Sequence, residues 1–287
     1  MWIALSLLTA LPALNAGTVV RITTGLGDIY AELYDADKPV TVANYLSYVR
    51  SNAYQNSFFH RCVPGFALQG GGYATFAPMI TNRLAPPWAN LGLSPNYGTI
   101  TNEFGVGRRL SNTFGTLAMA KVGTDPNSAS SQWFFNLNDN SANLDHQNGG
   151  FTVFGRVIQG ADILASFNGL TYGANLVNLQ SLYPADPVAP LFTELPTYAL
   201  GTNAPPYNQL VYFNVQVVAS PVRAAVTLGG EVSWNSTAGR TNVIEFSTQL
   251  PPVWQTLVST NGTGEVMRHL DATPAGGPRF YRVRIDY

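Results

Sequence analysis

The chain has 287 residues, 46% hydrophobic and only 11% charged, with a formal net charge of -1. The length suits one large domain plus a small one, and the charge leaves no basic footprint for nucleic acid. One cysteine, Cys62, and three histidines without metal-ligand spacing exclude an intrachain disulfide framework and argue against a zinc site.

In chain order, residues 1–16 are almost all apolar and end in small residues. They are too few to span a bilayer, which takes ~20. Although no Lys or Arg precedes the run, a cleaved secretory signal is expected, with the protein periplasmic or extracellular. Val19 to Thr23 and Ile29 to Tyr34 read as strands around a Gly25–Gly27 turn. A helix is expected next, with Asp37 as cap, Pro39 in the first turn, and Val42, Tyr45, Leu46 and Val49 as its apolar stripe. Phe58 to Cys62 and Phe66 to Gln69 are short strands around a Pro64-Gly65 turn. Residues 73–99, rich in Pro, Asn and Gly, read as a long surface loop.

Phe114 to Ala120, Trp133 to Leu137 and Thr152 to Ile158 are further strands, and Ala161 to Phe167 a second helix with Ile163, Leu164 and Phe167 inward. Residues 169–208 show no clear period. Gln209 to Val218 alternates, with Val211, Phe213, Val215 and Val217 on one face. Ser220-Pro221 marks a boundary. Beyond it, strands are predicted at Ala224 to Leu228, Asn242 to Phe246, Val253 to Ser259 and Arg279 to Tyr287, separated by turns at Asn261-Gly262 and Gly276-Gly277-Pro278. The expected organisation is a signal at 1–16, a main domain at 17–219 and a small β-sandwich at 221–287.

Chemistry concentrates in Phe59-His60-Arg61-Cys62-Val63-Pro64-Gly65-Phe66-Ala67-Leu68-Gln69-Gly70-Gly71. A turn at Pro64-Gly65 lets Arg61, Phe66 and Gln69 share one surface: a cation, a ring and an amide. This run resembles the cyclophilin family signature F-H-R-x-x-P-G-F-x-x-Q-G-G at every fixed position. Asn102-Glu103, Gly115 to Ala120, Ser131-Gln132 with Phe134, Leu144-Asp145 and Val153 to Val157 follow in the family's order. Asn112-Thr113 and Asn138-Asp139-Asn140 resemble its bacterial branch.

The resemblance implies a mainly β fold: an eight-stranded antiparallel barrel capped by two helices, with an active groove on its outer face. It implies a peptidyl-prolyl cis-trans isomerase acting on proline-containing polypeptides, with Arg61 as catalytic residue. Phe66, Met119, Phe134 and Leu144 match the proline pocket, and Gln69 the amide that holds the substrate backbone. Ala120 and Lys121 match the main chain that pairs with peptide, and Phe151 the position of a groove histidine in eukaryotic members. No cofactor or metal is implied, and a monomer is expected. Ala67 replaces a wall methionine and Asn143 an aromatic residue that contacts cyclosporin in some members, so weak inhibition by that compound is expected.

Plainer roles compete for several residues. Arg61 taken alone reads as a surface ion-pair residue, and His60, its strand neighbour, points the other way as a packed histidine rather than a base. Cys62 reads as buried packing. Gly70-Gly71-Gly72 lacks the Lys-Ser/Thr of a phosphate loop. Two functions stay open: an isomerase for exported clients, or a non-catalytic proline-peptide-binding module, holdase or scaffold. The intact Arg61, Phe66 and Gln69 favour the first.

Overall fold

The computed structural model describes residues 17–199, 201–219, 224–227, 230–236, 239–249, 251–272 and 279–286. The expected signal, the Ser220-Pro221 boundary, the strand ends at Leu228 and Tyr287 and the Gly276-Gly277-Pro278 turn lie outside them. The chain forms two compact units, one of Thr18–Val218 and one holding the chain from Ala219 onward. Among the described residues no helix is long and apolar enough to cross a membrane.

In the first unit, eight strands form one sheet in the order 213–219, 19–24, 27–33, 153–159, 116–119, 133–136, 67–70, 61–63. The pairings from 19–24 through to 61–63 are antiparallel. The sheet curls until its edges meet: Phe59 N–H donates to Val211 O at 2.9 Å and Phe213 N–H to Ser57 O at 3.0 Å. Inward positions of successive strands supply Leu68, Leu117, Trp133, Phe135 and Phe213 to one buried cluster. The alternation read at 209–218 is seen here, with Val211, Phe213 and Val215 no more than 5% exposed.

The helix Pro39–Arg50 starts at its proline and buries Val42, Tyr45, Leu46 and Val49. Tyr45 meets Trp133 edge-on at 5.7 Å, docking the helix on the barrel. Asp37 does not cap it: that carboxylate accepts from Arg108 N at 2.9 Å and Nε at 2.8 Å. Buried Glu103 takes the helix N–H groups instead, from Val40 at 3.1 Å and Thr41 at 2.7 Å. A carboxylate at a helix N-terminus satisfies orphan donors and meets the positive end of the dipole, and tertiary folding brings one from far along the chain. Beside it the ammonium of fully buried Lys38 donates to the carbonyls of Glu103 at 2.9 Å, Arg108 at 2.8 Å and also Val106. The second helix expected from the sequence forms at Ala161–Ser166, after a short one at Ser141–Leu144, and turns Leu164 inward, with Phe167 just beyond it.

The two aperiodic stretches are not plain surface loops. Tyr73–Thr75 and Leu91–Leu93 pair as a ribbon. Phe58, Leu84, Trp88, Leu179, Phe192 and Leu195 then form a second core between residues 73–99 and 169–208. Trp88 Nε1 donates across to Asp186 Oδ1 at 3.0 Å. Each stretch hides its apolar residues against the other, so neither needs the periodicity of a helix or strand.

The second unit packs two three-stranded sheets, 224–226/231–235/266–270 and 255–261/241–247/280–286. Val232, Trp234, Ile244 and Ile285 fill the space between them, which is the sandwich the sequence predicts. Strands Glu231–Asn235 and Val266–Leu270 were not predicted. The first carries only two buried apolar residues, and the second lies at a sheet edge with its alternate residues exposed.

Candidate active site

The site begins with a turn. Phe66 N–H donates to Val63 O at 2.9 Å, with Pro64 second and Gly65 third at φ 76, a type II turn that needs glycine there. It folds strand 61–63 onto 67–70 so that Arg61 lies opposite Gln69. The ladder continues from Gln69 to Phe134, from Phe134 to Ala118 and from Ala118 to Val153. Directly opposed residues share a face with Cβ atoms ~5 Å apart. A guanidinium, an amide, an aromatic ring and a methyl group therefore line up across the outside of the barrel.

Beside this row lies an apolar slot. Ala67, Ala118, Phe134, Leu144 and Val153 form a cluster distinct from the barrel interior, bordered by Phe66, Ala120 and Phe151. Phe151 stands edge-on to Phe134 at 6.0 Å and 70°. Met119, expected in the pocket wall, is a correction: it is 2% exposed and belongs to the interior cluster. Neighbours on a strand face opposite ways, so Ala118 and not Met119 lines the slot. Ala67 and Ala118 leave the wall short where a longer side chain would narrow it. Asn143 is exposed beside Leu144.

Polar groups around the slot are held in place. Gln69 Nε2 donates to Gln132 Oε1 at 2.7 Å. Arg61 Nε donates to Glu194 Oε2 at 2.7 Å, with the Arg61 side chain 38% exposed. His60 is buried against Tyr73, and burial, seconded by the charge of Arg61, pushes its pKa down to about 3 against a weaker opposing pull from its Gln132 hydrogen bond. It is neutral at ordinary pH and is no base. Burial pushes the Cys62 thiol up to about 12, so it is no nucleophile. Lys121 Nζ donates to Asn148 O at 2.6 Å and Gly150 O at 2.7 Å and lies 4.4 Å from the Phe151 ring centroid. Burial lowers its pKa to about 8. Ala120 N–H is already engaged by Gln132 O at 3.0 Å.

Behind the slot lies an asparagine frame centred on Asn136, an amide of the 130–136 stretch to which the sequence assigns no individual role. Its Nδ2 donates to Asn112 Oδ1 at 3.1 Å and Thr116 Oγ1 at 2.9 Å, and its Oδ1 accepts from Asn140 Nδ2 at 2.7 Å. Asn140 also donates to Phe66 O at 2.8 Å, and Asn112 to Phe151 O at 3.0 Å and Asp145 Oδ1 at 2.9 Å. Phe66, Leu144 and Phe151 thus hang from, or lie within, segments tied to three buried amides. The available signal was an asparagine at the end of an otherwise apolar strand, since a buried amide must find partners.

The family profile of cyclophilin type peptidyl-prolyl cis-trans isomerase/CLD matches residues 19–182. The chain belongs to the cyclophilin family. It is 39% identical over 162 residues to a peptidyl-prolyl cis-trans isomerase of Acinetobacter baylyi, covering 55% of this chain and 77% of that protein. It is 39% identical over 165 residues to one from Streptomyces antibioticus, covering 55% of this chain and 87% of that one. Among solved structures, a cyclophilin type isomerase of Cryptosporidium parvum aligns over 71% of this chain and 99% of its own, at 22% identity and a TM-score of 0.45. The cyclophilin domain and its relatives make this chain a peptidyl-prolyl cis-trans isomerase, and cyclophilin substrates are proline-containing peptides.

Proposed function

We propose that Arg61 drives prolyl isomerisation by bonding the substrate's prolyl nitrogen while the slot of Ala67, Ala118, Phe134 and Leu144 grips the ring. Rotation about an Xaa-Pro bond meets a barrier of ~20 kcal/mol because amide resonance must be broken. No proton leaves and no covalent bond breaks, so the enzyme needs only to favour the twisted amide over both planar forms. In the twisted state the nitrogen regains a lone pair. A guanidinium donates to it at any ordinary pH, and more strongly where an apolar wall excludes water. Each tenfold in rate takes ~1.4 kcal/mol, so a few such contacts suffice. Gln69, locked by Gln132, holds the substrate backbone, which pairs with the Ala120 carbonyl and the Lys121 main chain.

The observation that carries this reading is the alignment of Arg61, Gln69 and Phe134 across three paired strands above an apolar slot. The test is isomerisation of Xaa-Pro peptides by wild type and Arg61→Ala. A loss of at least a hundredfold in kcat, with peptide binding retained, is expected. Undiminished turnover in Arg61→Ala sinks the assignment.

The apolar run at residues 1–16 supports a location outside the cytoplasm with exported proteins as clients, and the mature N-terminus should then fall near Gly17. For residues 221–287 the proposed role is a tether. Their deletion should leave peptide turnover unchanged and alter the cell fraction in which the enzyme is found.

A further inference from the structure

We propose that Glu194 is a positioning residue for catalysis, holding the Arg61 guanidinium by its Nε so that both terminal nitrogens are turned to the substrate. This rests on the reading of Arg61 as the catalytic group. Glu194 lies beyond the residues that match the family profile, which end at 182, so the family motif does not supply it. It comes from the 169–208 segment, whose sequence shows no period.

Two features make the contact a built one. The carboxylate meets Arg61 Nε at 2.7 Å, a charge-assisted bond of ordinary length. The Glu194 backbone is itself fixed: its carbonyl accepts from Cys62 N–H at 2.7 Å, so the segment lies along the free edge of the strand that carries Arg61. On either side, Phe192 and Leu195 are fully buried in the second core. Tyr172 OH donates to Thr193 O at 3.0 Å and adds another tie. The carboxylate is therefore presented from a packed backbone rather than from a free loop.

Geometry gives the pair its use. A guanidinium carries five N–H donors in a rigid fork, and engaging Nε fixes the plane of the fork while leaving four donors free. An unrestrained arginine at 38% exposure samples many rotamers, of which few aim at a prolyl nitrogen. Misplacement of a catalytic group by ~1 Å can cost ~100-fold, so partial loss of restraint should cost about tenfold.

The experiment measures peptide isomerisation by NMR exchange for wild type, Glu194→Gln, Arg61→Ala and the double variant, all in the full chain. Glu194→Gln keeps the backbone bond to Cys62 and the side-chain size. It should lower kcat about tenfold with KM and unfolding midpoint unchanged, and should shift the Arg61 Nε–H resonance, assigned by its absence in Arg61→Ala. In the Arg61→Ala background it should cost nothing further. Full kcat in Glu194→Gln, an unmoved Nε–H resonance, or an equal loss in both backgrounds overturns the role of Glu194 while leaving that of Arg61 intact. Retained turnover in Arg61→Ala overturns both.

Discussion

Acid should destabilise the barrel through one histidine, by an amount that follows from its burial. His60 is 3% exposed, and its pKa is held down to about 3 in the fold against 6.5 when unfolded. Because the folded value is depressed, the unfolded chain binds the proton first, and stability is lost as pH falls below about 6.5. At ~1.36 kcal/mol per unit, the loss between pH 8 and pH 5 is about 2 kcal/mol. Its ceiling, reached below pH 3, is roughly 5 kcal/mol. The figure at pH 5 depends almost wholly on the unfolded value, since the folded one lies two units lower. The assay is urea unfolding of the full chain, read at barrel amides such as those of Leu117 and Phe135, for wild type and His60→Gln. Other groups that titrate contribute equally to both proteins, so the difference isolates His60. Wild type should lose about 2 kcal/mol more than the variant between pH 8 and pH 5. Equal losses, or an imidazole resonance assigned to His60 that titrates near 6.5, would show that the ring is not sealed beneath the groove.

Further outcomes are expected elsewhere. Asn136→Leu leaves Asn112 Oδ1 and an Asn140 N–H buried without partners; at ~1–3 kcal/mol per unpaired group it should cost about 3 kcal/mol in urea unfolding and raise peptide KM as Phe66 and Phe151 loosen. Lys38→Met strips the donor from a ring of backbone carbonyls and should cost ~2–4 kcal/mol, with faster hydrogen exchange at residues 103–108. Lys121 has its pKa lowered to about 8 by burial, so the unfolded chain holds more protons between pH 8 and 10.5. Wild-type stability should rise over that window relative to Lys121→Met in parallel denaturation series. Asn143→Trp adds a ring at an exposed position beside Leu144 and should tighten cyclosporin binding about tenfold, ~1.4 kcal/mol by titration calorimetry.

What the sequence determines is local or pairwise. Pro64-Gly65 dictates a tight turn, and once the turn exists, alternation brings Arg61 and Gln69 onto one face. The apolar stripe at Val42, Tyr45, Leu46 and Val49 sets the helix, and the period of two from Val211 to Val217 sets the closing strand. The same logic applied strictly excludes Met119 from the slot, because Ala118 already faces outward; there the expectation followed the motif instead of the pleat.

What only the tertiary structure decides are the contacts between segments that carry no period of their own. Glu103 rather than Asp37 caps the first helix, Asn136 gathers three pocket segments, and Glu194 reaches Arg61 from a stretch of turns. Glu103 and Thr41, Asn136 and Asn112, and Glu194 and Arg61 are each far apart in sequence, and a hydrogen bond between distant residues leaves no repeating signature along the chain. The second core shows the reason most plainly. Trp88 and Phe192 are buried because two irregular segments cover one another, and burial of that kind depends on where the chain returns in space, which neither segment encodes alone.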